Sequence, residues 1–552
     1  MTDFVTTYLR RRARLAEAGA YDPSSEHDAC GVGLVAALDA EPRREIVDMA
    51  IAALKAVWHR GAVDADGKTG DGAGIRLNVP QELFRAFVAR TGHNAGENDI
   101  CVGMLFLPRT NLGAQDAARA IVESEILHRG FYIYGWRQVP VQARVLGQKA
   151  NATRPEIEQI LFCDPKGRDQ EELDRILYVV RRRIEKRART QGLHELYVCS
   201  LSSQDIVYKG MFLAQEIDNF YPDLKDERFI SRVAIFHQRY STNTFPEWRL
   251  AQPFRMLAHN GEINTLKGNV NWMKSHEIPM TSEVFGDDGD DIKPVIQPGS
   301  SDSGTLDQVF ELLVRAGRSA PMAKTLLIPE AWSKRLAVMP AKWRALYEYC
   351  NAVMEPWDGP AAIAAYDGQW AIAGLDRNGL RPLRYAITHD GILAVGSETG
   401  MCPLEGREVK KRGALEPGRM IAVDMQNGEF YDSDAILNHL ADKHPYTEWL
   451  GNVMELEPKI GPGPEERLFE GEELLRRQGA AGYDLEALEL ILRPMAEEGK
   501  EAIGSMGDDS PIAVLSESYR PLSHFFRQNF SQVTNPPIDP LRLQLQDRKS
   551  VV

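Results

Sequence analysis

Cys30-Gly31-Val32-Gly33-Leu34-Val35-Ala36-Ala37-Leu38 is a short apolar run with β-branched members, and it reads as a buried strand. A cysteine opening such a strand is ordinarily a small buried apolar residue. The residues in front of it change that reading. Residues 1–29 carry Arg10, Arg11, Arg12 and Arg14, yet they lack the apolar run of about 7–15 residues that a secretory signal needs. They also hold Asp3, Glu17, Asp22, Glu26 and Asp28, whereas transit peptides are poor in acids. Export is rejected, and the segment reads as a leader whose removal would expose Cys30 as a new N-terminus. A free α-amino group titrates near about pH 8, well below a lysine, so it can act as base to its own thiol.

Outward from that strand, apolar positions at Ile46, Met49, Ala50, Ala53, Leu54, Val57 and Trp58 predict a helix within Glu41–Trp58, with Gly61 as its stop. A glycine-rich loop is expected over residues 61–74. From there to about residue 430 strands and helices mix without βαβ alternation, which predicts α+β layering. Ile100–Leu107 and Gly368–Leu375 are expected as strands, and Gln170–Thr190 as a helix with a basic face. Residues 431–470, which include Glu457-Pro458-Lys459-Ile460-Gly461-Pro462-Gly463-Pro464, read as a linker. A further helix is expected from Asp484 to Glu501, in a final segment, residues 471–546, that stops in a proline-rich stretch.

The chain has 552 residues, a net charge of -14, 43% hydrophobic residues and 26% charged ones, the balance of an ordinary soluble globular protein. An acidic total argues against general nucleic-acid binding, because nothing in it attracts a phosphate backbone. No stretch approaches the roughly 18 apolar residues of a membrane helix. The 6 cysteines are scattered singly with no CxxC, so neither a disulfide framework nor a zinc ribbon is expected, and a reducing cytoplasm is the natural setting.

Four further residues can carry chemistry. Arg239, in His237-Gln238-Arg239-Tyr240-Ser241-Thr242, follows a strand-like run. Such an arginine is commonly a solvated charge, but its planar fork also suits bidentate capture of a carboxylate. Asn260 and Gly261 lie between apolar residues, where Asn-Gly is a strong hairpin signal. The same pair can make an oxyanion hole from the Asn260 amide and the Gly261 N–H. Asp302 can be only an N-cap for a helix Thr305–Arg315, or it can pair with a substrate ammonium. The loop 61–74 is neither GxxxxGK[ST] nor an EF-hand, whose register fails at Lys68, and no metal is assigned to it.

Cys30-Gly31-Val32-Gly33, the Arg60-Gly61 loop, His237 to Thr242, His259-Asn260-Gly261-Glu262 and Ser301-Asp302-Ser303 occur in that order. Together they resemble the glutaminase domain of class II glutamine amidotransferases, a branch of the N-terminal-nucleophile hydrolases. The long interval from Cys30 to Arg239 is unlike the compact members of that class. Ala65 to Gly74, Asp376 to Tyr385 and Gln532 to Pro540 resemble the glutamate synthase family, and the likeness runs over residues 20–542.

The resemblance implies a four-layer αββα sandwich over residues 30–430, followed by the start of an α/β central domain. It implies that residues 1–29 are a propeptide and that Cys30 attacks the glutamine side-chain amide to give a thioester. Asn260 and Gly261 would hold the oxyanion, Arg239 and Thr242 would bind substrate with Asp302, and ammonia would be channelled to 2-oxoglutarate. FMN and a 3Fe-4S cluster belong to the full-length enzyme and to no part of this chain. An FAD-containing small subunit or ferredoxin is the implied electron-donating partner. The closing Asp547-Arg548-Lys549-Ser550-Val551-Val552 departs from the family and reads as a non-native tail. A competing expectation is a catalytically silent folding or interaction module whose residues 470–552 expose apolar surface. A metallohydrolase is disfavoured, since no HExxH or similar cluster occurs.

Overall fold

The computed structural model describes residues 30–239, 245–332, 338–451, 453, 468–499, 513–515 and 519–526. Three sheets organise them. The first has the strand order β14 (Val409–Ala414), β12 (Arg384–Thr388), β13 (Ile392–Gly396), β1 (Gly31–Ala37), β8 (Val233–Gln238), β2 (Thr69–Asn78), β7 (Asp205–Phe212). The second runs β16 (Glu429–Tyr431), β15 (Met420–Asp424), β11 (Trp370–Leu375), β10 (Ala361–Tyr366), β9 (Leu257–Gly261). The third runs β4 (Tyr132–Gln138), β5 (Glu156–Cys163), β3 (Ile100–Leu107), β6 (Tyr197–Ser202). Neighbouring strands pair antiparallel throughout.

Strand parity fixes the layers. On β1 the residues Val32, Leu34 and Ala36 share one apolar cluster with Ala258 of β9, Ala362 and Ala364 of β10, and Ala373 of β11. The first two sheets therefore stack face to face. Val35 and Ala37 point the other way, into a cluster with Ile46, Ala50 and Leu54 of helix α1 (Arg44–Ala56). This is the helix expected from the periodicity, two or three residues shorter at each end. Gly33 is demanded by packing, since a Cβ there would sit 2.3 Å from the Phe236 ring.

The third sheet comes from chain inserted between β2 and β7. It buries Cys101, Leu105, Ile160 and Phe162 against helices α2 (Leu112–His128) and α3 (Gln170–Thr190). This insertion accounts for the long interval between Cys30 and Arg239. Strand β3 and helix α3 have the bounds read from the sequence. Part of the basic face of α3 is buried, however. Arg181 and Arg182 are buried, paired with Glu185, and Arg181 also reaches Glu311 at 2.6 Å.

The far side of the second sheet is covered by α4 (Asp302–Arg315) and α5 (Ala320–Leu327), whose Lys324 ammonium donates to the Gly418 carbonyl. The two helical layers and two stacked sheets form the αββα sandwich. These elements, α5 as far as Lys324, lie in a compact unit containing the described residues up to Ile263, Val270–Lys324 and Pro360–Ile436.

A second unit takes Asn264–Asn269, Thr325–Gly359 and the described residues from Leu437 onward. In it α6 (Ala341–Val353) meets α7 (Tyr446–Leu450) through Tyr349, whose ring centroid is 5.0 Å from Tyr446 and 5.4 Å from Trp449. The expected linker 431–470 thus contains a helix, Ser433–Asp442, and α7. Their side chains find buried partners, which a linker's would not. The stretch from Asp484 is helical as far as Glu498, with a π turn at Leu488–Leu492. The glycine-rich loop is shorter than read, because strand β2 begins at Thr69. Residues 1–29 and 547–552 lie outside the described residues.

β9 is the edge of its sheet, and its bonding alternates. Glu262 N–H donates to Pro360 O and Tyr366 N–H to Met256 O, which leaves Leu257, His259 and Gly261 with backbone groups pointing away from β10. The Asp307 carboxylate of α4 closes the first position, accepting from Leu257 N at 3.0 Å and also from Met256 N at 2.8 Å and Arg255 N at 3.2 Å. Asp307→Ala strips three donors of their acceptor in a buried place and is expected to cost about 3 kcal/mol or more. Chemical denaturation of the variant beside the parent chain measures it.

Candidate active site

Cys30 precedes β1 and shares the parity of Val32 and Leu34, so it stands on the face toward the second sheet. On β8, Gly31 pairs with Gln238 and Val32 with His237, and one more step of that register sets Cys30 opposite Arg239. Arg239 is 6% exposed, not the solvated charge an isolated arginine suggests. Its backbone N–H donates to Gly72 O at 2.8 Å, beside a bulge in β2. Burial pushes its guanidinium down from its usual range, opposed by the charges of Cys30, Asp71, Asp302 and Glu247.

Asn260 shares the parity of Ala258 and faces the first sheet. Its side-chain amide donates to the Cys30 carbonyl at 2.8 Å, and its second N–H meets no acceptor among the described residues. Gly261 does not turn a hairpin. It ends β9, opposite Ala361, and the pairing with residues 361–365 has overridden the local turn signal. Its φ is 151°, and a Cβ would fall 1.7 Å from Pro360 O, so only glycine fits. Its N–H points off the sheet edge with no acceptor among the described residues.

Asp302 is the first residue of α4, not its cap. Ser301 caps the helix, accepting from Gly304 N at 3.1 Å, and the helix begins three residues earlier than expected. Asp302 Oδ2 accepts from Ile263 N at 3.0 Å, which ties it to the end of β9. A helix N-terminus suits a carboxylate. Thr242 lies outside the described residues.

Sequence reasoning assigned no role to the side chains behind these residues. His259 Nδ1 lies 2.7 Å from Ser303 Oγ, and Ser303 Oγ is 3.4 Å from Asp302 Oδ1. The His259 N–H donates to Gln252 Oε1 at 2.8 Å, and its carbonyl lies 3.1 Å from both Gln252 Nε2 and His237 Nε2. Both histidines were visible inside their motifs, but nothing local marks Gln252. Across β1, His59 Nε2 lies 2.9 Å from Glu398 Oε1, and Arg60 bonds to the same carboxylate. Burial pushes Glu398 up, but these two partners outweigh it and hold its carboxyl at about 2. The Arg60-Gly61 loop is thereby fastened beside the start of β1.

The six cysteines sit on separate elements, and among the described residues no group of three or more His, Cys, Asp or Glu is arranged for a metal ion. These residues do not fit a 3Fe-4S cluster. In the glycine-rich loop Asp66 is held by Thr69, and Asp64 pairs with Lys149 at 2.6 Å. No described helix is long and apolar enough to cross a membrane.

A cysteine bonded through its carbonyl to the Asn260 amide, a buried arginine opposite it in register and a helix-terminal carboxylate tied to the end of β9 suit amide-bond chemistry on an amino-acid substrate. The family model for class-II glutamine amidotransferases matches residues 30–449, and the chain belongs to that family. The model for the glutamate synthase central domain matches residues 476–547.

The chain is 58% identical, over 98% of its length, to the glutamate synthase (NADPH) large chain of Azospirillum brasilense, covering 36% of it. It is 41% identical, over 96%, to the glutamate synthase (NADPH) large chain of Bacillus subtilis (strain 168), covering 34%. It is also 41% identical, over 94%, to the chloroplastic ferredoxin-dependent glutamate synthase 2 of Arabidopsis thaliana, covering 32%. The chain spans about a third of the length of these curated relatives.

The buried histidines make folding acid-sensitive. Burial first, then the charge of Arg239, lowers His237 from 6.5 to about 3. The folded state therefore keeps it neutral while the unfolded chain binds a proton. Stability is full above about pH 6.5 and falls toward pH 3 by up to about 1.4 kcal/mol per pH unit for this residue. His237→Gln should flatten that part of a stability-versus-pH profile.

Proposed function

We propose that this chain is the glutaminase part of a glutamate synthase, hydrolysing glutamine to glutamate and ammonia through a Cys30 thioester. What supports the reading is the end of β9, where the Asn260 amide donates to the Cys30 carbonyl and the neighbouring Gly261 N–H points away from β10. With residues 1–29 removed, the Cys30 α-amine takes the thiol proton and the sulfur attacks the side-chain amide carbon. The oxygen becomes an oxyanion facing the two donors. Collapse breaks the C–N bond, the amine returns its proton to the leaving nitrogen, and ammonia departs. Water then cleaves the thioester to give glutamate and the free thiol. Arg239 holds the substrate carboxylate, Asp302 its ammonium, and Thr242 completes the binding set.

In the full-length protein the ammonia is passed to 2-oxoglutarate. FMN and a 3Fe-4S cluster on other parts of that protein supply the electrons, received from an FAD-containing small subunit or from ferredoxin. Residues 471–546 are read as the start of the central domain. A second reading, a silent folding module, draws on exposed apolar residues at the other end of the chain: Leu475, Leu485, Leu490, Leu522 and Phe525.

Intact mass should show a mature N-terminus at Cys30, and Cys30→Ala should abolish glutamine hydrolysis, a loss of about 10⁴-fold or more. A correctly processed, folded chain with no turnover in any assay would favour the silent module. Asp302→Asn should raise KM about 10- to 100-fold with a smaller fall in kcat, because it removes a charge pair to the ground-state substrate. Steady-state kinetics at saturating and limiting glutamine separates the two.

A further inference from the structure

β3 and β5 pair with Leu107 opposite Glu156. Two more steps of that register set Arg109 opposite Arg154, just past the strand ends. Like charges directly opposite one another repel. The Arg154 guanidinium is pushed below its usual range by burial and then by Arg109. Glu156 and Tyr221 act in the opposite sense, yet the net shift remains downward. Among the described residues the Arg109 guanidinium makes no hydrogen bond or ion pair, and the Arg154 guanidinium makes one hydrogen bond, from Nε to Asn151 Oδ1 at 3.3 Å.

Both arginines line a cavity of about 470 Å³, with the Thr110 hydroxyl and the rings of Tyr197 and Trp248 in its wall. Glu247 and Arg249 in the same wall neutralise each other at 2.7 Å. Glu195 also lines the cavity, but it is exposed and pairs with neither arginine.

We propose that Arg109 and Arg154 form a binding site for a phosphate group, carried by a small phosphorylated ligand or present as the free ion. A phosphate near neutral pH carries close to two negative charges, matching two guanidinium groups, and its tetrahedral oxygens accept from forks on opposite sides. The rings beside it give a planar group on the phosphate somewhere to lie. Arg109 follows β3 and Arg154 precedes β5, so both arginines belong to the inserted sheet.

Calorimetric titration of the full chain with inorganic phosphate and with adenosine monophosphate, at constant ionic strength in chloride, tests this. Saturable binding of either probe is expected, weakened at least about tenfold by Arg109→Gln and by Arg154→Gln. Tighter binding of the monophosphate shows that the rings contribute; equal binding shows a site that reads the phosphate alone. Arg109→Glu replaces the repulsion with an ion pair, so it should abolish binding and raise the melting temperature in phosphate-free buffer. Absence of saturable binding below about 10 mM, or binding unchanged by both glutamine variants, overturns the proposal.

Discussion

An edge strand must dispose of every second backbone N–H, and in this protein the disposal of those on β9 lays out the site. Buried donors need acceptors, and exposed strand edges invite unwanted pairing. Asp307 takes the amide of Leu257 and Gln252 takes that of His259. The third, on Gly261, has no acceptor among the described residues and follows Asn260, whose amide donates to the Cys30 carbonyl. A donor fixed by a strand cannot rotate away, and that preorganisation is what the proposed oxyanion hole would need. The carbonyl of His259, tied to Gln252 and His237, holds the strand in register behind it.

Much of this was legible in the chain because it depends on parity and short motifs. Val32, Leu34 and Ala36 announced a buried strand, and Ile100–Leu107 and Gln170–Thr190 were readable from composition and periodicity. What resisted reading depends on contacts distant in sequence. Asn260-Gly261 looks like a hairpin until residues 361–365 are laid beside it. Asp302 looks like a cap because Ser301, one residue earlier, is an equally good one. Gln252 and Asp307 carry no local mark at all, since their value comes from a strand edge formed by other residues.

Helix α3 shows the same limit in its charges. A row of arginines on a helix reads as a wet face, yet Arg181 and Arg182 are buried because Glu185 and Glu311 meet them. Charge patterning reports how many ions a segment carries, and only the fold reports which of them are matched. Arg109 and Arg154 are the converse case, separated in sequence and set face to face by strand register.

The position of β1 also governs the order in which the molecule can be built. It lies between β8 and β13, so its partners are residues 233–238 and 392–396. During synthesis β1 emerges early with both edges bare, and at about 5–20 residues per second it waits roughly tens of seconds for β13. The inserted sheet, whose strands pair among themselves, can close in the meantime. Cys30, at the head of β1, thus emerges early, while the strand that completes its surroundings comes late. Until β8 emerges that apolar strand has two open edges, and until β13 emerges it still has one, which must be kept from other chains.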